Sequence, residues 1–593
     1  MKTLATVAIA LMMMPLTVSA AKAKKKQIVK KVSAIEVVGK MNDEYQASHS
    51  PEVGTGSEEA AYFSANMEAY RLTGNARYLE YCDKWARHNK WNGAMEAYLD
   101  LYELNPDSYK IASLLRADNI QSLPVLAKLY KVTRCKKYLD LIAGAYTQAD
   151  AFTLARTLNA LPSDAPQYGD IAEKLKGEVT AAPSLYPLLW TVNRGLLDKA
   201  KYAATIEQLW SQRDNSSATI LAACGKVRYD DSTLVAPRSL TVEVKNPSGV
   251  QRQQVVELCA ADIFKRLGIS GGRQFVVKDA IGNEIPSQLT HDGKILVDVA
   301  VAPGSTATLT IATALPKAYV NTCYGRMYPE RVDDIAWEND RGAYRCYGPA
   351  LQRSGEDAFG NDVWVKNTPD LVVESRYYNE LVNKLSYHID RGYGLDCYKV
   401  GPTLGCGTPA IIEGENIRFP YCWTSYEILD NGPRRFGVRL DYGANGEHRI
   451  LSLDKGSNFN KMTVWYDGIS APVDVASGVV IHTEDTESVV LGKDFVQYAD
   501  PTDNPKNQNF QIYVAAIFPD GVDVTRKVMY QNPVRGNAGH ALGIKKGVQP
   551  GEKFTYYFGS AWSKYDCRTQ AEWQQRIDTF KSALAMPLES IIK

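Results

Sequence analysis

From about Ala60 to Arg213 apolar residues recur at spacings of three and four with few glycines between them, the period of helices that bury one face. One segment shows the pattern whole. Asp198, a side chain suited to capping, precedes Tyr202, Ile206, Leu209 and Trp210, which share a helical face. The stretch also repeats itself: EAYRLTGNARYLEYCDKW, from Glu68, aligns with KLYKVTRCKKYLDLIAGA, from Lys128, through Tyr70/Tyr130, Thr73/Thr133, Tyr78/Tyr138 and Leu79/Leu139. Each copy predicts helix, tight turn, helix, and stacked hairpins of this kind predict an α-solenoid or a partial α/α toroid.

After about Asp230 the period changes to two. Leu240, Val242 and Val244 alternate with Thr241, Glu243 and Lys245, and beyond the turn at Pro303-Gly304, Ala307, Leu309 and Ile311 alternate with threonines. Asn431-Gly432-Pro433 punctuates two further strands, the second carrying Phe436, Val438, Leu440 and Tyr442 on one face. This is antiparallel sheet with one wet face, and so many strands predict a sandwich or supersandwich. A short helix, about Gln570 to Ala585, is expected to close the chain. The predicted class is α+β and multidomain. Residues 1–20 read as a signal peptide, 21–50 as a basic tail and linker, 51–230 as the helical domain and 235–593 as the β domain.

The leader rests on MKTLATVAIALMMMPLTVSA, a lysine ahead of an apolar run that ends in the small-residue pattern Val18-Ser19-Ala20. The run is shorter than the roughly 20 residues of a spanning helix, and Pro15 interrupts it. The expected location is therefore periplasmic or secreted. Lys and Arg number 68 against 67 Asp and Glu, which argues against a general nucleic-acid or membrane-surface binder and leaves partners to be recognised locally. Tyr contributes 35 residues and Trp 10, a composition that suits carbohydrate recognition by flat aromatic faces and equally a β-rich exported protein. The ten cysteines form no CxxC pair and no zinc-spaced cluster, so neither a structural metal nor a cofactor is expected. Cys397 with Cys406, or Cys406 with Cys422, are the local options for a disulfide, and the sequence leaves the pairing open.

Two resemblances follow from longer blocks. EAYRLTGNARYLEYCDKWARHNKW (from Glu68), RADNIQSLPVLAKLYKVT (from Arg116), LARTLNALPSD (from Leu154) and NRGLLDKAKYAATIEQLW (from Asn193) resemble the unsaturated uronyl hydrolases, enzymes that remove 4,5-unsaturated uronic acids from oligosaccharides. The resemblance implies an α/α barrel, with Asp118 matching one catalytic aspartate. The family's other aspartate falls in a segment missing between Trp91 and Ala97, and the region is about half the length of a full toroid, so this part reads as a truncated, inactive scaffold. The blocks GRMYPERVDDIAWENDRGAYRCYGPAL (from Gly325), DVWVKNTPDLVV (from Asp362), YHIDRGYGLDCYKVGPTLGCGTPAI (from Tyr387) and YEILDNGPRRFGVRLDY (from Tyr426) resemble the domain-of-unknown-function family 4861. That resemblance implies a galactose-mutarotase-like supersandwich binding sugars on a concave face.

Candidate chemistry gathers in two stretches. Trp337-Glu338-Asn339-Asp340-Arg341 packs two carboxylates, an arginine and an indole together, and a strand sends Trp337, Asn339 and Arg341 to one face and Glu338 and Asp340 to the other. Tyr387 to Asp396 is a polar, glycine-relaxed loop, followed by Lys399. His388 stands between Asp390 and Asp396, which can raise its basicity. A lyase would use Arg341 or Lys399 to neutralise a uronate carboxylate and His388 or Tyr393 as base; a hydrolase would use Glu338 with Asp390 or Asp396. Trp337 and Trp364 complete the substrate-binding expectation. The same residues also fit a buried ion pair, a hydrogen-bonded loop and core aromatics, and Asp390 with Asp396 fit a calcium site without regular ligand spacing. The function expected is an exported protein for breakdown of uronate-containing, pectin-like glycans, with an acidic oligosaccharide or polysaccharide as partner. The alternatives are a non-catalytic glycan-binding protein and a module that docks to partner enzymes.

Overall fold

The computed structural model describes residues 32–104, 120–269, 274–502 and 509–593. Asp118, the leader and the lysine-rich start lie outside the described residues. The first helix, α1 (Ala34–Ser48), occupies half of the stretch expected to be tail and linker. Ser33 and Glu36 satisfy each other's backbone amides as a capping box, and Ala34, Val37, Val38 and Asn42 bury one face. The signal Ser-x-x-Glu stands in the sequence, but the lysines before it set the expected boundary too late.

Next come α2 (Ser57–Thr73), α3 (Ala76–His88), α4 (Met95–Leu104), α5 (Leu123–Thr133) and α6 (Lys136–Ala145). They are followed by α7 (Ala151–Ala160), α8 (Tyr168–Ala181), α9 (Leu185–Asn193), α10 (Lys199–Ser211) and α11 (Ser217–Asp230). Helices α2, α4, α5, α7, α9 and α11 each pack on the next, and α11 packs back on α2, closing an inner ring. As described, the inner helices run from 9 residues in α9 to 17 in α2.

The internal repeat is structural to the hydrogen bond. In the first copy Thr73 bonds back to the Ala69 carbonyl at 2.8 Å and accepts from the Asn75 amide at 3.2 Å; in the second, Thr133 bonds to the Leu129 carbonyl at 2.8 Å and accepts from the Cys135 amide at 3.2 Å. Both hairpins turn on a left-handed residue, Gly74 at φ 67° and Arg134 at φ 56°. Asp198 caps α10 through the Lys201 amide at 2.7 Å, with Tyr202, Ile206 and Trp210 buried.

Near their C-terminal ends the inner helices carry pairs of residues three apart that face the interior of the ring. Glu68 with Arg71, Asp100 with Glu103, and Lys128 with Lys131 are three such pairs on successive helices. Their charges match between neighbours: Arg71 meets Asp100 at 2.8 Å, Lys128 meets Asp100 at 2.5 Å and Lys131 meets Glu103 at 3.0 Å. Burial raises the pKa of Glu68 and of Glu103, but the cations outweigh it, Arg228 and Arg71 for the first and Lys131 and Arg71 for the second, and hold both at about 2.

The β region divides into two sandwiches where the sequence predicted one domain from 235 to 593, because each builds its own core. In the smaller, a five-stranded and a three-stranded sheet enclose Val242, Val244, Val256, Ile263, Val297 and Ile311. The two alternating runs read from the sequence pair with each other, Leu240 opposite Ile311, Val242 opposite Leu309 and Val244 opposite Ala307. The chain returns here: after the helix Gln570–Ala585 a last strand, Glu589–Ile592, pairs with Ser239–Lys245, so it closes on a strand and not on the expected helix. In the larger sandwich an eight-stranded antiparallel sheet packs on two five-stranded sheets through Trp337, Tyr344, Phe436, Val438, Val464 and Phe558. The helix Gln570–Ala585 covers its other face with Trp573 and Ile577. The thiol of Cys406 points to the Gly559 carbonyl at 3.8 Å and that of Cys422 to the Tyr347 carbonyl at 3.0 Å.

Candidate functional site

Strand alternation builds a charged face. In the sheet of Tyr324–Tyr328, Asp334–Glu338, Ala343–Cys346, Asp362–Lys366 and Gly394–Asp396, the residues Ile335, Trp337, Tyr344, Val363, Val365 and Leu395 enter the sandwich core. Asp334, Glu338, Arg345, Asp362, Trp364, Lys366 and Asp396 then point away from it, under the helix Val373–Leu381 and the loop that starts at Tyr387.

Arg345, 5% exposed, is the centre. Its guanidinium bonds Asp362, reaches the Asp396 carboxylate at 3.1 Å and lies 3.6 Å from Asp334. Three carboxylates on one guanidinium leave an excess of negative charge that burial makes unfavourable. Accordingly the Asp334 carboxyl is pushed up to about 6, by burial first and against the pull of Arg345 and Arg331. Asp334 accepts from the Tyr377 hydroxyl at 3.2 Å on one oxygen, and its other oxygen has no hydrogen-bond partner. Burial and Asp362 push the Tyr347 hydroxyl far above its ordinary range, which keeps it a proton donor.

The rim is more open. His388, 52% exposed in its side chain, lies 3.7 Å from the Asp396 carboxylate, and its Nδ1 meets the Asp396 carbonyl at 3.0 Å. A carbonyl only accepts, so Nδ1 carries the proton and Nε2 presents a lone pair outward. Arg331 donates to the Tyr387 hydroxyl through Nε at 3.2 Å and Nη2 at 3.0 Å, and Arg345 donates to the same oxygen at 3.4 Å. Tyr387 also lies against the His388 ring, centroids 4.6 Å apart, and stacks on Trp364 at 4.7 Å. Among the described residues Arg331 has no carboxylate within ion-pair distance, with Asp334 acting on it only from farther off, so an imidazole and a guanidinium without an ion pair meet on one phenol.

Of the residues singled out in the sequence, His388, Asp396 and Trp364 come together here. Trp364 is 1% exposed and donates from Nε1 to Asp362 at 3.3 Å, so it braces the floor instead of offering a face to a ligand. Trp337 and Glu338 are corrected by their burial. Trp337 lies in the sandwich core with Nε1 on Asn460 at 2.7 Å. Glu338, fully buried, binds Lys366 at 2.7 Å and accepts the Val372 and Val373 amides, anchoring the start of the helix Val373–Leu381.

Arg341 and Lys399 do not join His388. Arg341 pairs with Asp566 at 2.5 Å, beside the C-terminal helix, and Lys399 lies against Gly536 with its carbonyl on His482. Asp390 bonds Lys564 and accepts the Gly392 and Gly394 amides at 2.9 and 3.0 Å, which fixes the loop. With Asp396 committed to Arg345, the two aspartates form no common cation site among the described residues. Tyr393 lines a separate groove of about 740 Å³ between α6 and the helix Val373–Leu381. Sequence reasoning missed Arg345, Asp334, Asp362, Arg331 and Tyr347, and placed Tyr387 in the candidate loop without giving it a role. The signal for the first three was the alternation already noted at Glu338, carried back to Asp334 and across to the neighbouring strands.

Comparison with known proteins gives two family matches. Residues 244–589 match the model described as Domain of unknown function (DUF4861), and residues 30–153 match Glycosyl Hydrolase Family 88. The protein named Uncharacterized protein P7 of Formosa agariphila is 30% identical over 291 residues, 46% of this chain and 70% of its own length. A glycosyl hydrolase family 88 structure from Bacteroides vulgatus is 20% identical with a TM-score of 0.30, covering 33% of this chain and 98% of that one. A structure named Polysaccharide Lyase BACCELL_00875 is 23% identical with a TM-score of 0.31, covering 34% and 98%.

Proposed function

Because the chain belongs to the DUF4861 family, whose description assigns no activity, its role has to come from the site, and we propose an exported enzyme that cleaves uronate-bearing oligosaccharides by β-elimination. The observation that carries this reading is the meeting of Arg331 and His388 on Tyr387. The match of residues 30–153 to a glycosyl hydrolase family supports carbohydrate as the substrate class.

Elimination needs three groups. Arg331, without a carboxylate partner, takes the uronate carboxylate and spreads the charge that develops when the neighbouring carbon is deprotonated. His388 Nε2 removes the C5 proton, and its imidazolium is steadied by the Asp396 carbonyl and carboxylate. The C4–O bond breaks as the C4=C5 double bond forms, and the leaving oxygen takes a proton from the Tyr347 hydroxyl. Water is not consumed.

Hydrolysis fits less well, since it uses two carboxylates across the scissile bond. Asp362 and Asp396 are tied to one buried guanidinium, and Glu338 is sealed beneath the helix Val373–Leu381. The test compares Arg331→Gln with the unaltered protein on an oligogalacturonate and on its methyl ester. The expected result is a loss of kcat/KM of tenfold or more on the acid with little change on the ester. Equal losses on both, or none, would overturn the role of Arg331. Binding of the acid without turnover by the unaltered protein would reduce the reading to glycan binding.

A further inference from the structure

The C-terminal end of the helical ring encloses a cavity of about 220 Å³, roofed by Gln274 and the segment Leu315–Ala318 that leads from the small sandwich to the large one. The volume is below the roughly 300–1,000 Å³ of drug-sized sites, the scale of one small polar molecule.

The cations of α2 and α5 in this wall are balanced by carboxylates, and Arg228 by Glu68 at 2.5 Å. Arg194 is different. Its Nη1 donates to the Leu315 and Pro316 carbonyls at 3.4 and 2.6 Å, its guanidinium stands 5.7 Å from the centre of the Trp190 ring, and among the described residues no carboxylate pairs with it. Burial works against its charge and Arg228 adds to that, while Tyr168 and, more weakly, Glu284 and Glu68 act in its favour without reaching it as ion pairs. A buried guanidinium without a direct ion pair is stabilised by an anion that brings two acceptor oxygens.

The neighbouring groups select more than charge. Asn159 spends its Oδ1 on the Trp190 indole at 3.3 Å, which leaves its amide hydrogens for the cavity. Asn193 spends its Nδ2 on the Gly225 carbonyl at 2.9 Å, which leaves its Oδ1 to accept. Tyr186 and Trp190, one helical turn apart on α9, add aromatic surface. One cation, one donor, one acceptor and an aromatic wall suit a carboxylate on a hydroxylated ring.

We infer that this cavity is a second ligand site, separate from the His388 face, which binds a single sugar acid with its carboxylate on Arg194 and its hydroxyls on Asn159 and Asn193. The helical ring is then a binding module as well as a scaffold. The choice of a sugar over another hydroxylated acid rests on the carbohydrate reading above; the anion-binding pocket does not.

Titration calorimetry of the full chain carrying Arg331→Gln, which weakens acid binding at the outer face, tests it with D-galacturonate, D-galactose and acetate as probes. Galacturonate is expected to bind at one site, at least tenfold more tightly than either of the others. Adding Arg194→Gln should weaken it tenfold or more, and adding Asn159→Ala several-fold, with thermal unfolding confirming that each variant is folded. Absence of galacturonate binding, equal binding of galactose or acetate, or unchanged affinity in either folded variant would overturn the proposal. Turnover at the His388 face is measured separately in Arg194→Gln, where it should persist, so the two proposals fail independently.

Discussion

His388 and Asp334 sit on opposite sides of Arg345 and lean on it differently. His388 is held from behind by the Asp396 carbonyl, so replacing it removes a base and little structure. His388→Ala should lower kcat by about 10²–10⁴-fold while leaving substrate affinity within a few-fold, measured by initial rates and direct binding. Asp334 is buried with its pKa raised from 3.8 to about 6. A raised carboxyl contributes stability below its unfolded pKa near 4, and that contribution is lost as the pH rises through 6. Asp334→Asn cannot ionise, so between pH 4 and pH 7 the variant should gain roughly 3 kcal/mol relative to the unaltered protein in urea unfolding. A constant difference across that range would mean that the Asp334 carboxyl is ionised throughout. At this scale the sequence made part of the site legible. His388 stands in a polar, glycine-rich loop, where side chains that face solvent can be picked out, and Asp396 is on the short strand that follows it. Arg345, Asp334 and Asp362 lie on three strands whose neighbours are settled by sheet register, which no single strand records.

At the scale of elements, the charged face is held down by the pair Glu338–Lys366. Glu338 offers its oxygens to the first amides of the helix Val373–Leu381, so it fixes the element that lids Arg345. Glu338→Ala leaves a buried ammonium unpaired and should cost about 3–5 kcal/mol in chemical denaturation, whereas a catalytic carboxylate would lose turnover with stability intact. The hairpin repeat gives a prediction of the opposite sign. Gly74 and Arg134 occupy the same left-handed turn, and a non-glycine residue there is strained by about 1–2 kcal/mol. Arg134→Gly should therefore raise the unfolding temperature slightly, less the small, partly exposed contact with Asp370 at 3.2 Å. The repeat and its turns were readable because they are local. Ring closure was not, because it depends on α11 meeting α2 across some 150 positions, which no local pattern records.

For the whole molecule, the return of the chain to its middle matters most. Glu589–Ile592 pairs with Ser239–Lys245, Lys593 bonds Glu243, and Arg252 donates to the Ala583 and Met586 carbonyls, so the C-terminus locks the small sandwich to the helix that covers the large one. Removing residues 587–593 should expose the edge of Ser239–Lys245 and speed hydrogen exchange there, while amides of the strand Phe436 belongs to stay protected. A last strand of four residues after a long helix carries too little pattern to announce its partner some 350 positions away. The division of the β region into two cores was hidden for the same reason, since alternation marks strands and not which sheets share an interior.

The reading of the outer face comes down to one base acting on one acidic sugar. A time course of ultraviolet absorbance and product mass on uronate-bearing oligosaccharides, run with the unaltered protein and with His388→Ala, tests it most directly. The account predicts accumulating 4,5-unsaturated products with the first and almost none with the second. Products without unsaturation, or equal rates from the two proteins, would contradict it.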